Sequence, residues 1–238
     1  MAATLYLIPC PISDDTTVAD VTPMANQTII NSLDYFSVEN IRSARRFLSK
    51  SGYARAIDDA TFVELNEHTT SPTEIAKMIE PLLAGRSAGV ISEAGVPAVA
   101  DPGQAVVSLC HRHNIRVVPL VGPSSILMAV MASGLSGQSF AFNGYLPIKE
   151  PDRSKAIKRL ESRSHNEHQS QLFIEAPYRN VKLFEHLLKT LQPNTQLCIA
   201  CDITSQNEYI HTKTVEQWRK DKGVGDCIQK RPTIFILS

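Results

Sequence analysis

Apolar residues along the first half of the chain switch repeatedly between strand-like and helix-like spacing. Leu5–Ile8 is a short apolar strand, stopped by Pro9 and Pro11. Ala25–Leu33 is compatible with a helix, and Phe36–Val38 with a short strand. Asn40 is placed to cap a helix over Ile41–Lys50, where Ile41, Ala44, Phe47 and Leu48 share one face, and Gly52 ends it. Thr61–Leu65 reads as a further strand. Ser71, Pro72 and Glu74 then supply an N-cap, a proline at the first helical position and a capping-box glutamate for a helix running to about Ala84, with Gly85 after it. A strand at Ala88–Ile91, a helix at Gln104–His113 and a strand at Arg116–Leu120 follow. This alternation predicts a parallel sheet with helices on both faces.

The second half has a different rhythm. Ser124–Ser133 is an apolar helix, Phe140–Tyr145 a strand and Ser154–Ser162 a charged helix. Gln171–Glu175 is a strand and Tyr178–Leu191 a long helix. Strand patterns then dominate, at Gln196–Ala200, Tyr209–Lys213 and Thr233–Leu237, with connections short enough to imply antiparallel pairing. The fold class expected is α/β. It comprises an N-terminal domain over residues 1–121 and a C-terminal mixed-sheet domain over residues 122–238. They join near Leu120–Ser125, with a cleft between them as the natural ligand site.

Composition narrows the classes. Lys+Arg and Asp+Glu both number 24, so no global basic field points to non-specific nucleic-acid binding. The five cysteines, at 10, 110, 198, 201 and 227, form no disulfide framework and fit a reducing compartment. No basic-then-apolar leader is evident, and the longest clean apolar run, Ile126–Ala132, is too short to span a bilayer. A cytoplasmic protein without membrane contact is expected. The stretch 149–170, rich in Lys, Arg, His and Ser, is read as a solvated helix and loop rather than an RNA-facing surface.

The richest candidate for chemistry is Val90–Gly103, V-I-S-E-A-G-V-P-A-V-A-D-P-G. It joins a strand to a helix through a loop carrying Gly95, Pro97, Pro102 and Gly103, with carboxylates from Glu93 and Asp101 at its two ends. Backbone groups of such a loop can meet a small ligand. The plainer reading is a connection shaped by its own turns. No G-x-G-x-x-G follows a strand and no G-x-x-x-x-G-K-[ST] loop occurs, so dinucleotide and triphosphatase sites are not supported. Cys198 and Cys201 have metal-ligand spacing but sit on a strand, where residues three apart face opposite ways, so no metal site is expected.

Several segments, in order, resemble the tetrapyrrole-methylase superfamily, the class III S-adenosylmethionine-dependent methyltransferases. Within it they are similar to the bacterial 16S rRNA ribose 2'-O-methyltransferases. The segments are Leu5–Ile12, Glu39-Asn40-Ile41-Arg42, Asn66-Glu67, Ser92–Pro97 ending in Asp101-Pro102-Gly103, Pro119–Gly122 with Ser124 and Ser125, Asn143–Pro147, and Glu175-Ala176-Pro177-Tyr178-Arg179. Their order and spacing carry the likeness over nearly the whole chain. The resemblance implies a homodimer with S-adenosylmethionine in the interdomain cleft. It also implies donor contacts at Pro11, Gly95, Val96, Pro97, Ser124, Ser125, Glu175 and Ala200. Because a sulfonium is already an activated methyl donor, the chemistry needs no metal and consists mainly of aligning the acceptor, with a carboxylate taking its proton. Glu39, Glu67 and Glu93 are candidates for that proton, and Arg42 and Arg179 for an acceptor phosphate or carboxylate. A structural ion-pair role is open to each of these five.

Departures from the family pattern bear on the acceptor. Ser13 stands where the family has Gly, Asn40 where it has Asp, and Cys201-Asp202-Ile203-Thr204-Ser205 where it has Arg-Glu-Leu-Thr-Lys. Arg231-Pro232 replaces a Gly-Glu, and the sequence stops at Ser238, directly after the last strand pattern. Three readings follow: a methyltransferase acting on ribosomal RNA or the small ribosomal subunit, one acting on a tetrapyrrole or other small molecule, and a non-catalytic S-adenosylmethionine-binding protein.

Overall fold

Along the first strand, β1 (Thr4–Ile8), Leu5 and Leu7 face one way and Tyr6 and Ile8 the other, and two separate layers of helix cover these faces. The structure is a computed structural model that describes residues 3–66 and 71–238. The chain forms two compact units, Met1–Ser124 and Ser125–Ser238.

In the first unit β1 is followed by α1 (Val18–Val21), α2 (Met24–Ser32), β2 (Tyr35–Val38), α3 (Ile41–Ser51), β3 (Thr61–Glu64), α4 (Pro72–Leu83), β4 (Ala88–Ile91), α5 (Gln104–Arg112) and β5 (Arg116–Pro119). The strands pair in the order β3-β2-β4-β1-β5, all parallel. Ile30 of α2 and Ala44, Phe47 and Leu48 of α3 bury against Ile8, Phe36, Val38 and Ile91. Ile75, Met78, Ile79 and Leu82 of α4 and Val106 and Cys110 of α5 bury against Leu5, Tyr35, Ala88 and Val90. The period-two alternation of each strand therefore feeds two half-cores, each fully buried side chain contributing about 1.5–3 kcal/mol. Connections leaving β1 and β2 run over one face, and those leaving β3 and β4 over the other. The neighbours β1 and β4 thus send their chains to opposite sides, leaving an opening at their carboxyl ends.

Helix ends follow the sequence signals. Asn40 Oδ1 accepts from the N–H groups of Arg42 (2.9 Å) and Ser43 (3.2 Å), and Gly52 closes α3 in the left-handed region. Ser71 and Glu74 form the capping box expected of α4.

The second unit holds α6 (Ser125–Ser133), β6 (Phe140–Tyr145), α7 (Asp152–Glu167), β7 (Ser170–Ile174), α8 (Asn180–Thr190), β8 (Gln196–Cys201), β9 (Tyr209–Thr214), α9 (Val215–Lys220), α10 (Val224–Ile228) and β10 (Thr233–Leu237). The sheet order is β6-β7-β10-β8-β9. Only β6 and β7 pair in parallel, so this is the mixed sheet expected. Phe173, Leu197, Ile199, Cys201, Phe235 and Leu237 pack under α7–α10, where the Trp218 indole donates to the Leu197 carbonyl (2.7 Å). Helix α6 lies on the opposite face, against β8, β9 and β10. Cys201 belongs to the first of these layers and Cys198 does not, as strand alternation requires.

The structure departs from the pattern reading in detail. Helix α7 is longer at both ends than Ser154–Ser162, and residues 177–179 form a 3₁₀ turn before α8. Three short helices, α1, α9 and α10, were not expected. Among the described residues, no helix is long and apolar enough to cross a membrane.

Candidate functional site

Three loops meet at the carboxyl edge of the parallel sheet. Pro9 and Cys10 follow β1, Ser92–Gly103 follows β4, and 120–124 follows β5. The first two are stitched together in antiparallel fashion. The Cys10 N–H donates to the Gly95 carbonyl (2.8 Å) and the Gly95 N–H donates to the Cys10 carbonyl (3.1 Å). Gly95 takes φ +74°, and a Cβ there would touch Ile12 Cγ2 at 3.4 Å and the Pro123 carbonyl oxygen at 3.5 Å. Gly122 approaches the first loop more closely still: a Cβ would lie 2.2 Å from Pro9 Cγ. The Asn26 amide of α2 donates to the Val121 carbonyl (2.8 Å), tying the third loop down. These residues put backbone from three strand ends into one cradle.

The Ser92–Gly103 loop stores strain. Ala98 and Ala100 sit at φ +65° and +56°, a region L-residues with a Cβ seldom occupy. The conformation carries Asp101 back toward the edge of the sheet, where a carboxylate cluster forms. Glu39 follows β2, Glu93 follows β4, and Asp101 precedes α5. Burial first, and then Glu39 and Glu93, push the Asp101 carboxyl up to about 7, against a lowering by the Ser92 hydroxyl. Glu39 lies close enough to Asp101 for its negative charge to contribute to that rise. The Ser43 hydroxyl donates to Glu93 Oε1 (2.6 Å). Buried Cys10 lies beside this cluster. Burial, with Glu93 and Asp101 adding, pushes its thiol well above the usual range, so it stays neutral. A carboxyl near neutrality beside a backbone cradle can accept a proton from a bound group.

The structure therefore gathers Pro11, Gly95, Val96, Pro97, Ser124, Glu39 and Glu93 at one end of one sheet. Arg42 is exposed on the first turn of α3, and the neighbouring Ser43 is the side chain that reaches Glu93. Glu67 lies outside the described residues. Asp101 and Ser43 were not among the candidate site residues. The sequence signal for Asp101 was its place in the strand–loop–helix segment.

Ser125, Glu175, Ala200 and Arg179 lie in the second unit. Ser125 opens α6. Ala200 is buried in β8 between Ile234 of β10 and Ile210 of β9. Glu175, immediately after β7, is the centre of a charge network. Its Oε1 accepts from Arg179 Nε (2.9 Å), Arg179 Nη2 (2.7 Å) and the Ala176 N–H (2.8 Å), and its Oε2 accepts from Arg153 Nη2 (3.2 Å). Arg153 Nε donates in turn to the Pro147 carbonyl (2.8 Å). The Glu175 side chain is 2% exposed and that of Arg153 9%. Two guanidiniums and a backbone amide thus satisfy this carboxylate.

The sequence profile of the Tetrapyrrole (Corrin/Porphyrin) Methylases matches residues 5–218. Ribosomal RNA small subunit methyltransferase I of Vibrio cholerae is 30% identical over 209 residues, 88% of this chain and 68% of that protein. The protein of the same name from Escherichia coli O157:H7 is 30% identical over 222 residues, 91% and 72%. Among solved structures, the methyltransferase CobJ superposes with a TM-score of 0.62 at 15% identity, covering 98% of this chain and 92% of that one. Cobalt precorrin-4 methyltransferase CbiF gives 0.61 at 12%, covering 99% and 94%. The two α/β units described above match the fold of these structures. The profile match and the two relatives establish that the chain belongs to the tetrapyrrole methylases, a family of S-adenosylmethionine-dependent methyltransferases.

Proposed function

We propose that the chain binds S-adenosylmethionine on the cradle formed by Pro11, Gly95, Val96, Pro97 and Ser124, and methylates ribosomal RNA of the small subunit, as a ribose 2'-O-methyltransferase. The observation that carries the donor reading is the Cys10–Gly95 pairing at the switch point of the parallel sheet. There the chain has Gly95, where a side chain larger than alanine's would press on Ile12 and the Pro123 carbonyl. Backbone can approach a flat, polar ligand closely at such a place. The RNA reading is supported by relatives named ribosomal RNA small subunit methyltransferase I, two of which match at 30% identity.

When bound, S-adenosylmethionine supplies a methyl group on a positively charged sulfur. The chain's own contribution is alignment and proton removal. The cradle fixes one reactant, so a correctly held acceptor meets it with its entropy already lost. The Asp101 carboxyl, beside Glu39, is the group placed to take the proton of the acceptor hydroxyl, so that methyl transfer from bound S-adenosylmethionine would leave a neutral methylated product. Glu93, held by Ser43, supplies a second negative charge that favours the cationic donor. A homodimer is part of the proposal, supported by exposed Leu127 and Met131, one turn apart on α6, which a second copy would cover.

The test is methyl transfer from labelled S-adenosylmethionine to small ribosomal subunits and, separately, to a tetrapyrrole. Transfer to the ribosomal RNA supports the reading. Transfer to the tetrapyrrole alone refutes the RNA acceptor, and transfer to neither by donor-bound protein favours a non-catalytic binding role.

A further inference from the structure

Two tyrosines and an arginine crowd the carboxyl end of β6 and β7 in the second unit. Tyr145 ends β6 and is 65% exposed; Tyr178, in the turn after β7, is 68% exposed. Register places Tyr145 beside Ile174, one residue before Glu175. The Arg179 guanidinium lies over the Tyr178 ring, 4.8 Å from its centroid, and its Nη1 donates to the Tyr178 hydroxyl. Tyr178 and Tyr145 both lie near Arg179, whose guanidinium the Glu175 carboxylate holds in its charged form.

The support beneath this patch is expensive. Glu175 is buried, and burying a carboxylate with two guanidiniums contributes little net stability, since desolvation offsets most of the attraction. What the network does is fix Arg179, and through it the Tyr178 ring, in one orientation on a short turn. Exposed aromatic faces locked beside a cation are a poor solution for solubility and a good one for stacking a flat ring that carries negative charge nearby. The adjoining helix α7 continues the positive character: exposed Lys155, Lys158 and Arg159 share one side at helical spacing.

Resting on the RNA reading above, we infer that Tyr145, Tyr178 and Arg179 form a stacking platform for unpaired bases of the RNA substrate, with Arg179 and the α7 cations meeting its phosphates. Paired bases have no free faces, so the platform selects single-stranded or extruded nucleotides. An open surface with both rings about two-thirds exposed suits a chain passing over it better than an enclosed small molecule.

The probe is a fluorescent, unpaired RNA of about a dozen nucleotides, titrated against the full chain by anisotropy, with a duplex of the same sequence as competitor. Tyr178→Ala and Tyr145→Ala are each expected to weaken binding roughly tenfold without changing its salt dependence, whereas Tyr178→Phe and Tyr145→Phe keep affinity within about twofold. Arg179→Ala is expected to weaken binding and flatten the salt dependence. The duplex should compete poorly. Alanine variants that melt like the wild type and still bind as tightly would overturn the platform, as would loss of binding in the phenylalanine variants or no binding by the wild type at low salt. Calorimetric titration of the same samples with S-adenosylmethionine separates the two readings. Donor binding with unchanged RNA affinity removes the platform alone; absent donor binding removes the proposed function.

Discussion

Replacing Asp101 with asparagine keeps the shape of the side chain but removes the proton it exchanges. The carboxyl is raised from the ordinary aspartate value of 3.8 to about 7, burial being the first cause. In a fully buried site that rise would correspond to about 4 kcal/mol. Asp101 is only half-buried, and solvent reduces the figure to about 1–2 kcal/mol. The sign follows from which state holds the proton. Below about pH 4 both the folded and unfolded chains carry it; between about 4 and 7 only the folded chain does; above 7 neither does. The stabilisation is thus complete at low pH and lost as pH rises through 7. Asp101→Asn has no such proton, so it should match the wild type near pH 4 and exceed its stability by about 1–2 kcal/mol at pH 8. Urea unfolding of both proteins at the two pH values, compared as a difference of differences, reads this directly. Methyl transfer reads the second half of the argument. The wild-type rate should climb with pH through about 7 and level off, while the variant loses about 10²–10⁴-fold. A stability difference that does not change with pH refutes the raised carboxyl. A variant that keeps the wild-type rate and pH profile refutes its role as proton acceptor.

Other substitutions follow from the same geometry. Gly95→Ala places its Cβ at ordinary contact distance from Ile12 and Pro123 and should keep donor binding at a cost of about 1 kcal/mol for the left-handed backbone. Gly95→Val adds branched methyls at φ +74° and should lower donor affinity more than about tenfold, measured by calorimetry. Gly122→Ala, whose Cβ would sit 2.2 Å from Pro9, should push the first and third loops apart and reduce donor affinity and melting temperature together. Glu175→Ala leaves buried Arg153 without its partner and should destabilise the second unit by about 3–5 kcal/mol in chemical denaturation.

Much of the fold was legible because strong local signals and tertiary packing agreed. Asn40, Gly52 and the Ser71–Glu74 box mark their helices in the sequence and perform those roles in the structure. The strands at Ala88–Ile91, Phe140–Tyr145 and Thr233–Leu237 have the bounds their apolar runs predict. The short helices were hidden for a physical reason. Four to six residues show no periodicity, though Thr214 and Gln217 do spell a capping box for α9. Helix α7 ran past its expected ends because its polar flanks fit a helix as well as a loop, and it stops at His168, in the left-handed region.

The site was legible in its parts but not in its assembly. Glu39, Glu93 and Gly95 stood out by their motifs. That Asp101 returns to meet Glu39 depends on two alanines in a strained conformation, which no propensity favours. Arg153, which shares Glu175 with Arg179, stands 22 positions from it in sequence, inside a stretch read as solvated. It is instead 8% exposed. A charged residue of this kind is invisible until its partner is known.

If the three-loop cradle holds the methyl donor, isothermal titration of the full chain with S-adenosylmethionine and with its demethylated product will detect both. Saturable binding of both in the micromolar range is expected, weakened more than about tenfold in Gly95→Val and retained in Gly95→Ala. A folded wild-type protein that binds neither compound would contradict it.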